Sequence, residues 1–172
     1  TRRMYVRALD SSEAKALSGT EGAMNPFFSP NGEWLGFFAN AKLRKVRVGG
    51  GGPVDLCDAE SGRGATWGPN DTIVFNGSGG FQVGLMRIPA SGGTPETISR
   101  PDPAKDEASH RWPVFLPGGR KVLFTIWTSA GMATSRLAVL DLATGNIRPL
   151  SEGGAYARFV EPGLLIFSRS EG

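Results

Sequence analysis

The chain contains one histidine, His110, so any acid–base or histidine–metal chemistry must involve it. Three carboxylates, Asp102, Asp106 and Glu107, come shortly before it. Oxygen ligands of this kind suit Ca²⁺, but their spacing matches no known metal-binding loop. The favoured interpretation is a solvated acidic loop, with a ligand or metal contact as the alternative. We therefore predict no metal site.

Catalytic motifs are missing from the rest of the sequence. There is no Gly-x-Ser-x-Gly elbow, no phosphate-binding loop and no His-Glu-x-x-His. The single cysteine, Cys57, excludes an internal disulfide, and no basic residue stands beside it to activate the thiol. We predict a chain that is not an enzyme, has no catalytic residues and needs no cofactor.

The elements that carry these residues follow from a repeated phrase. An aromatic residue, a Pro-containing turn and an apolar strand recur four times, and the leading aromatics are Phe28, Trp67, Phe115 and Phe159. They are spaced about 39 to 48 residues apart, a period typical of radially repeated β-sheets. We expect these four rings to be buried in equivalent places between sheets.

Each repeat reads as four strands joined by Pro- and Gly-rich turns, which is one blade of a β-propeller. The predicted fold class is all-β, in a single domain over residues 1–172. It has three complete four-stranded blades and two half-blades, four blades' worth in all. The complete blades are predicted at 24–56, 64–98 and 110–150, and the half-blades at 1–17 and 156–172.

The two half-blades are complementary, because 1–17 resembles outer strands and 156–172 resembles inner strands. The chain could close on itself as a four-bladed ring or form a segment of a larger ring, and we favour the segment. Unpaired strand edges are rarely left open, so we expect the half-blades to pair within one chain or between two copies. The second option predicts a homo-oligomer.

A candidate ligand-binding site follows from the same arrangement. Residues at the start of each first strand line the central channel of a propeller. In this chain they are unusually polar and aromatic, and we predict the site at Asn25, Arg63, His110, Arg111, Trp112, Tyr156 and Arg158. Such a set could hold an anionic or sugar-like ligand or a peptide segment. The alternative is that these side chains hydrogen-bond loop backbone around a water-filled channel.

Charge and hydropathy argue against two classes of partner. The net charge is +3, and the densest basic cluster, within 42–47, has no interleaved aromatic residues as a nucleic-acid site would. The sequence has no apolar run long enough to span a membrane. We predict no nucleic-acid binding and no membrane insertion by this chain. Its partner is then a protein or a small-molecule ligand.

The phrase Ser29-Pro30-Asn31-Gly32-Glu33-Trp34-Leu35-Gly36-Phe37 resembles the repeat signature of TolB-type, WD-like propellers, with Asn31 where the family usually has Asp. The stretches 56–69 and 108–113 resemble propellers attached to bacterial transmembrane Ser/Thr protein kinases. No kinase catalytic motif is present. The resemblance implies a bacterial, extracytoplasmic, periplasmic propeller that recognises a ligand or protein.

Two functions are consistent with these observations. The favoured one is a non-enzymatic recognition or scaffold propeller, acting as a ligand- or protein-binding sensor segment of a larger bacterial protein. The alternative is the propeller domain of a prolyl-oligopeptidase-like hydrolase whose catalytic domain lies outside this chain.

Overall fold

The computed structural model describes residues 2–60, 62–77 and 81–170. They form sixteen strands and two short 3₁₀ turns, Pro69–Asp71 and Pro103–Lys105. The strands make three four-stranded antiparallel sheets in sequence order, flanked by two two-stranded sheets. The predicted fold class, three complete blades with a half-blade on each side, is confirmed.

The N-terminal half-blade consists of β1 (Tyr5–Val6) and β2 (Lys15–Ala16). The first blade has β3 (Met24–Phe28), β4 (Trp34–Ala39), β5 (Lys42–Arg47) and β6 (Val54–Asp58). The second has β7 (Ala65–Trp67), β8 (Thr72–Phe75), β9 (Met86–Pro89) and β10 (Glu96–Thr97). The third has β11 (Glu107–Phe115), β12 (Lys121–Thr128), β13 (Gly131–Asp141) and β14 (Ile147–Glu152). The C-terminal half-blade consists of β15 (Ala155–Val160) and β16 (Leu164–Ser168).

The core lies between successive sheets. The second strand of each blade contributes side chains to the core on either face of its sheet. In β4, Phe37 packs toward the N-terminal half-blade while Phe38 packs toward the second blade. In β12, Phe124 packs toward the second blade and Leu123 toward the C-terminal half-blade. Because successive side chains of a strand point to opposite faces, a continuous apolar run fills two cores at once.

The repeated aromatics are not equally buried, which corrects the prediction. Trp67 is only 7% exposed, Phe115 and Phe159 are half-buried, and Phe28 is 57% exposed. Phe28 faces the N-terminal half-blade, which supplies only two short strands, so its ring has little to pack against. Its neighbour Phe27 points the other way and is buried against Trp67 at a ring-centroid distance of 6.4 Å.

Close packing of the rings depends on glycines. The Phe27 ring lies over Gly36 of the adjacent strand, where a methyl group would collide with it. The Phe115 ring lies over Gly68 of the neighbouring blade in the same way. At both positions the aromatic ring occupies the space that a side chain would need, so only glycine fits there.

The half-blades do not pair with each other in one chain, so the four-bladed closed ring is not formed. Strands β1 and β2 form one two-stranded sheet and β15 and β16 another. The apolar side chains of β16, from Leu164 to Phe167, are all exposed, Ile166 to 63%. At the other end, Leu17 is buried against Leu35, Phe37 and Val46.

The basic cluster within 42–47 is largely taken up by local contacts. Lys42 pairs with Asp58 at 3.0 Å and Arg44 with Asp55 at 2.7 Å. The Lys45 ammonium lies 4.4 Å from the centroid of the Trp34 ring. The part of the chain that the structure describes contains no helix with the length and hydrophobicity of a membrane span.

Candidate ligand-binding site at the central channel

The inner strands converge on a cavity of about 210 Å³. Residues from all three complete blades and the C-terminal half-blade line it: Asn25, Pro26, Gly64, Ala65, Trp112, Pro113 and Arg158. Of the seven predicted site residues, three line this cavity: Asn25, Trp112 and Arg158. A fourth, Arg63, lies beside it, because its carbonyl oxygen accepts a hydrogen bond from the Trp112 amide. The structure therefore brings together residues that are more than a hundred positions apart in sequence.

One residue in each of the inner strands β3, β11 and β15, and the residue just before β7, adopt a left-handed backbone conformation. The φ angles are +50° at Asn25, +96° at Gly64, +51° at Trp112 and +58° at Tyr156. The strand register shifts at this point in β3, β11 and β15, as at a β-bulge. Such a bulge re-aims the side chain, here toward the channel end of the blade.

Two of these four residues are strained. Gly and Asn tolerate the left-handed region, whereas a bulky side chain there costs about 1–2 kcal/mol. Trp112 and Tyr156 therefore hold an unfavourable backbone that the surrounding structure must compensate. Strain of this kind clusters at binding and active sites, which makes this position a candidate for a site.

The strained residues carry an aromatic cluster. The Trp112 and Tyr156 ring centroids are 3.8 Å apart, with the planes inclined by 32°. Trp127 of β12 meets the other side of Trp112 edge-on, at 5.4 Å and 82°. Trp127 was not predicted from the sequence, because only the bulged pairing of β11 with β12 places it beside Trp112. A rule that collects aromatics near the end of each second strand would have found it.

Arginines surround the cluster. The Arg111 guanidinium lies 4.5 Å from the Trp127 ring centroid, and its Nε donates a 2.6 Å hydrogen bond to Ser109 Oγ. Partial burial lowers the pKa of Arg111 to about 10, and the positive charge of nearby Arg63 adds to this effect. Within residues 2–60, 62–77 and 81–170, neither of these arginines nor Arg158 has an ion-pair partner.

Some polar groups of the predicted site hold the blades together instead. Asn25 Nδ2 donates to the Gly62 carbonyl oxygen at 2.7 Å, and the Trp112 amide donates to the Arg63 carbonyl oxygen at 2.8 Å. A side chain at Gly64 would collide with the Trp112 backbone. At these positions the alternative interpretation, hydrogen bonding to loop backbone, describes the contacts.

His110 does not lie at the channel, which corrects its assignment to the site. It is completely buried, with its ring 4.9 Å from that of Phe124. Nδ1 is 2.7 Å from Ser99 Oγ and Nε2 is 3.3 Å from Glu107 Oε2. The Glu107 carboxylate accepts, so the neutral His110 ring carries its proton on Nε2, and Nδ1 then accepts from the Ser99 hydroxyl, whose oxygen also accepts from the Leu85 amide. Burial lowers the pKa of His110, and the Glu107 carboxylate opposes that shift.

The Ser99–His110–Glu107 order resembles a hydrolytic triad, but its environment is a packed core. The Ser99 hydroxyl is buried and already bonded on both sides. Glu107 also accepts a hydrogen bond from Arg136 at 3.1 Å. These hydrogen bonds link the end of the second blade to the first strand of the third blade.

The acidic loop is only partly solvated. Glu107 is buried, which corrects the expectation for that residue, while Asp102 pairs with Lys105 at 3.1 Å. Among the described residues, no group of three or more His, Cys, Asp and Glu side chains could hold a metal ion.

A larger groove of about 790 Å³ lies between the linker that follows the second blade and the strands of the third blade. Its charged residues have both signs, and four of them form ion pairs: Asp102 with Lys105, and Glu107 with Arg136. The channel, where positive charge has no such compensation, is therefore the better candidate for a ligand site.

Comparisons with solved structures agree with this architecture. A protein assigned as TolB from Agrobacterium tumefaciens superimposes with a TM-score of 0.72 at 16% identity, over 91% of this chain and 57% of its own. TolB from Acinetobacter baumannii gives 0.70 at 15% identity, over 97% of this chain and 46% of its own. The chain has a TolB-like β-propeller fold.

A third structure, a nidogen/laminin complex, matches with a TM-score of 0.66 at 15% identity, over 83% of this chain and 54% of the matched chain. The chain thus spans about half the length of the solved chains it resembles. No family model and no curated protein matches the sequence. At these identities the likeness concerns the fold.

Proposed function

We propose that the chain is a non-enzymatic recognition propeller that binds its ligand at the channel end of the inner strands. The observation that carries the proposal is the cluster of Arg63, Arg111, Trp112, Tyr156 and Arg158. These residues come from two different sheets and from the loop that precedes β7, and they include two strained aromatics. Arg, Trp and Tyr provide most binding hot spots in proteins.

The proposal also concerns the location of the protein and the larger protein to which the chain belongs. The resemblance of the repeats to TolB-type propellers and to kinase-attached propellers supports a bacterial, extracytoplasmic sensor segment. The alternative, the propeller of a prolyl-oligopeptidase-like hydrolase, predicts the same inert chain joined to a hydrolase domain.

The test is a thermal-shift screen of peptides and metabolites, followed by calorimetric titration of the best hit. The double variant Arg111→Ala/Trp112→Ala should abolish binding while circular dichroism still reports the β fold. Arg148→Ala, on the exposed outer strand β14, is the control and should bind like the wild type. Retained affinity in the double variant would move the site elsewhere. Peptide-bond hydrolysis by the purified chain would refute the non-enzymatic assignment.

We also propose that the half-blade edges of two copies pair with each other. The exposed apolar strand β16 supports this proposal, since soluble proteins seldom leave such an edge uncovered.

A further inference from the structure

We propose that Arg63 and Arg111 form a clamp for an oxyanion, a carboxylate or a phosphate group, at the end of the central channel. This inference rests on the recognition function proposed above and specifies the chemistry of its ligand. It is carried by three features of the site: uncompensated charge, a pre-positioned guanidinium and a small adjoining cavity.

The first feature is the charge. The Trp112 amide donates to the Arg63 carbonyl oxygen at 2.8 Å, which places Arg63 beside Arg111, and the two positive charges repel each other. Arg158 lines the cavity beside Trp112. Several cations elsewhere in the described part of the chain do pair with carboxylates, as Arg44 does with Asp55 at 2.7 Å. An anion between like charges would relieve the repulsion and replace the water that partial burial removes.

The second feature is the position of the Arg111 guanidinium. Stacking on Trp127 and the hydrogen bond from Nε to Ser109 fix its plane. Among the described residues its terminal nitrogens have no hydrogen-bond partner, so both can donate in the fork geometry that matches carboxylate and phosphate oxygens. Because the side chain is already ordered, little conformational entropy is lost when the anion binds.

The third feature is the size of the adjoining space. A cavity of about 210 Å³ accommodates a single acidic group with a few further atoms, not a folded domain. Trp112 lines this cavity, and the Tyr156 ring stacked on it is 44% exposed, so the pair offers an apolar surface for the part of the ligand next to the acid.

The probes are inorganic phosphate and the peptide acetyl-Ala-Ala-Phe, with its C-terminus free or amidated. Trp112 and Trp127 report binding through tryptophan fluorescence, and calorimetry gives the affinity. We expect phosphate, the free-carboxylate peptide or both to bind saturably, with weaker binding as salt rises. Phosphate alone would indicate a phosphorylated ligand, and the peptide alone a chain end or acidic side chain.

Three variants test the clamp. Arg111→Gln and Arg63→Gln should each weaken binding by about 10- to 100-fold, the loss expected for one charge-assisted hydrogen-bond donor pair. Arg111→Lys keeps the charge but removes the fork, and it should also weaken binding. Because the Arg63 side chain is exposed, Arg63→Gln tests the clamp without risk to the fold. Arg148→Gln is the matched control and should leave affinity unchanged.

Failure of this inference can be told apart from failure of the recognition function. If neither anion binds, or if either Arg63→Gln or Arg111→Gln binds the anion as tightly as the wild type, the oxyanion clamp is wrong. A neutral ligand from the screen that binds the wild type and is lost in Trp112→Ala would then leave the recognition site in place.

Discussion

The ring centroids of Trp112 and Tyr156 lie 3.8 Å apart although the two residues belong to different sheets. Both occupy the left-handed region of the backbone, at φ +51° and +58°. The stack therefore joins the third blade to the C-terminal half-blade through two strained residues. The backbone strain lowers the free energy of unfolding and the ring stacking raises it, so substitutions can measure which contribution is larger.

Tyr156→Asn should lower the free energy of unfolding by less than about 1 kcal/mol, or should raise it. The substitution loses a stacking contribution of about 0.5–1.5 kcal/mol and relieves a backbone cost of about 1–2 kcal/mol. Tyr156→Ala loses the stacking without the tolerance of Asn for left-handed φ, so it should be less stable than Tyr156→Asn. Urea denaturation measures both. Equal stabilities would mean that Tyr156 is not strained.

Adjacent residues of β3 should differ sharply in their effect on stability. Phe27→Ala should cost about 3–5 kcal/mol because the ring is buried against Trp67. Phe28→Ala should cost less than about 1 kcal/mol because the ring is exposed.

Trp67→Ala, in the core shared by the first two blades, should also cost about 3–5 kcal/mol. The free energies of unfolding of Phe27→Ala, Phe28→Ala and Trp67→Ala test which rings are buried. A large loss from Phe28→Ala with little loss from Phe27→Ala would mean that the register of β3 is reversed.

Edge pairing between two copies predicts assembly that depends on protein concentration. If the wild type dimerises as proposed, Leu164→Lys/Ile166→Lys should shift it to monomer, because charges on β16 oppose pairing with another strand edge. Stability should be little changed, since both side chains are exposed. Sedimentation velocity over a range of concentrations provides the measurement. A wild type that stays monomeric at its highest soluble concentration would refute the pairing.

The N-terminal half-blade should be required for stability whatever the oligomeric state. Deleting residues 1–17 removes Leu17 and uncovers Leu35, Phe37 and Val46. We expect loss of cooperative unfolding or aggregation, observed by thermal denaturation and light scattering. A truncated chain of wild-type stability would show that this sheet contributes nothing to the core.

The Cys57 thiol should react slowly with alkylating reagents near neutral pH. Burial, together with the negative charge of Asp58, raises its pKa to about 11. The thiolate is the reactive form, so alkylation by iodoacetamide should rise only as pH approaches that value. At pH near 8.5 the folded chain should react at least about tenfold more slowly than the chain unfolded in guanidinium, whose thiol titrates normally. Equal rates would show that the thiol is not shielded.

The sequence by itself determined the architecture. Turn residues such as Pro30 and Gly32 and the apolar runs around Phe37 and Val74 act locally, so the strands and their order could be predicted from them. The recurrence of one phrase then indicated blades, because each copy needs a neighbour to cover its apolar faces.

Only the tertiary structure decided which side chains meet. Phe28 and Phe27 look interchangeable in sequence, and the small half-blade beside Phe28 decides which one is buried. A bulge in β11 turns Trp112 toward the channel, while His110, two positions earlier in the chain, is buried beneath Phe124. Strand alternation cannot foresee such a bulge, since one extra residue reverses the faces that follow it. The site therefore depends on register and on neighbouring blades, which are long-range properties of the fold.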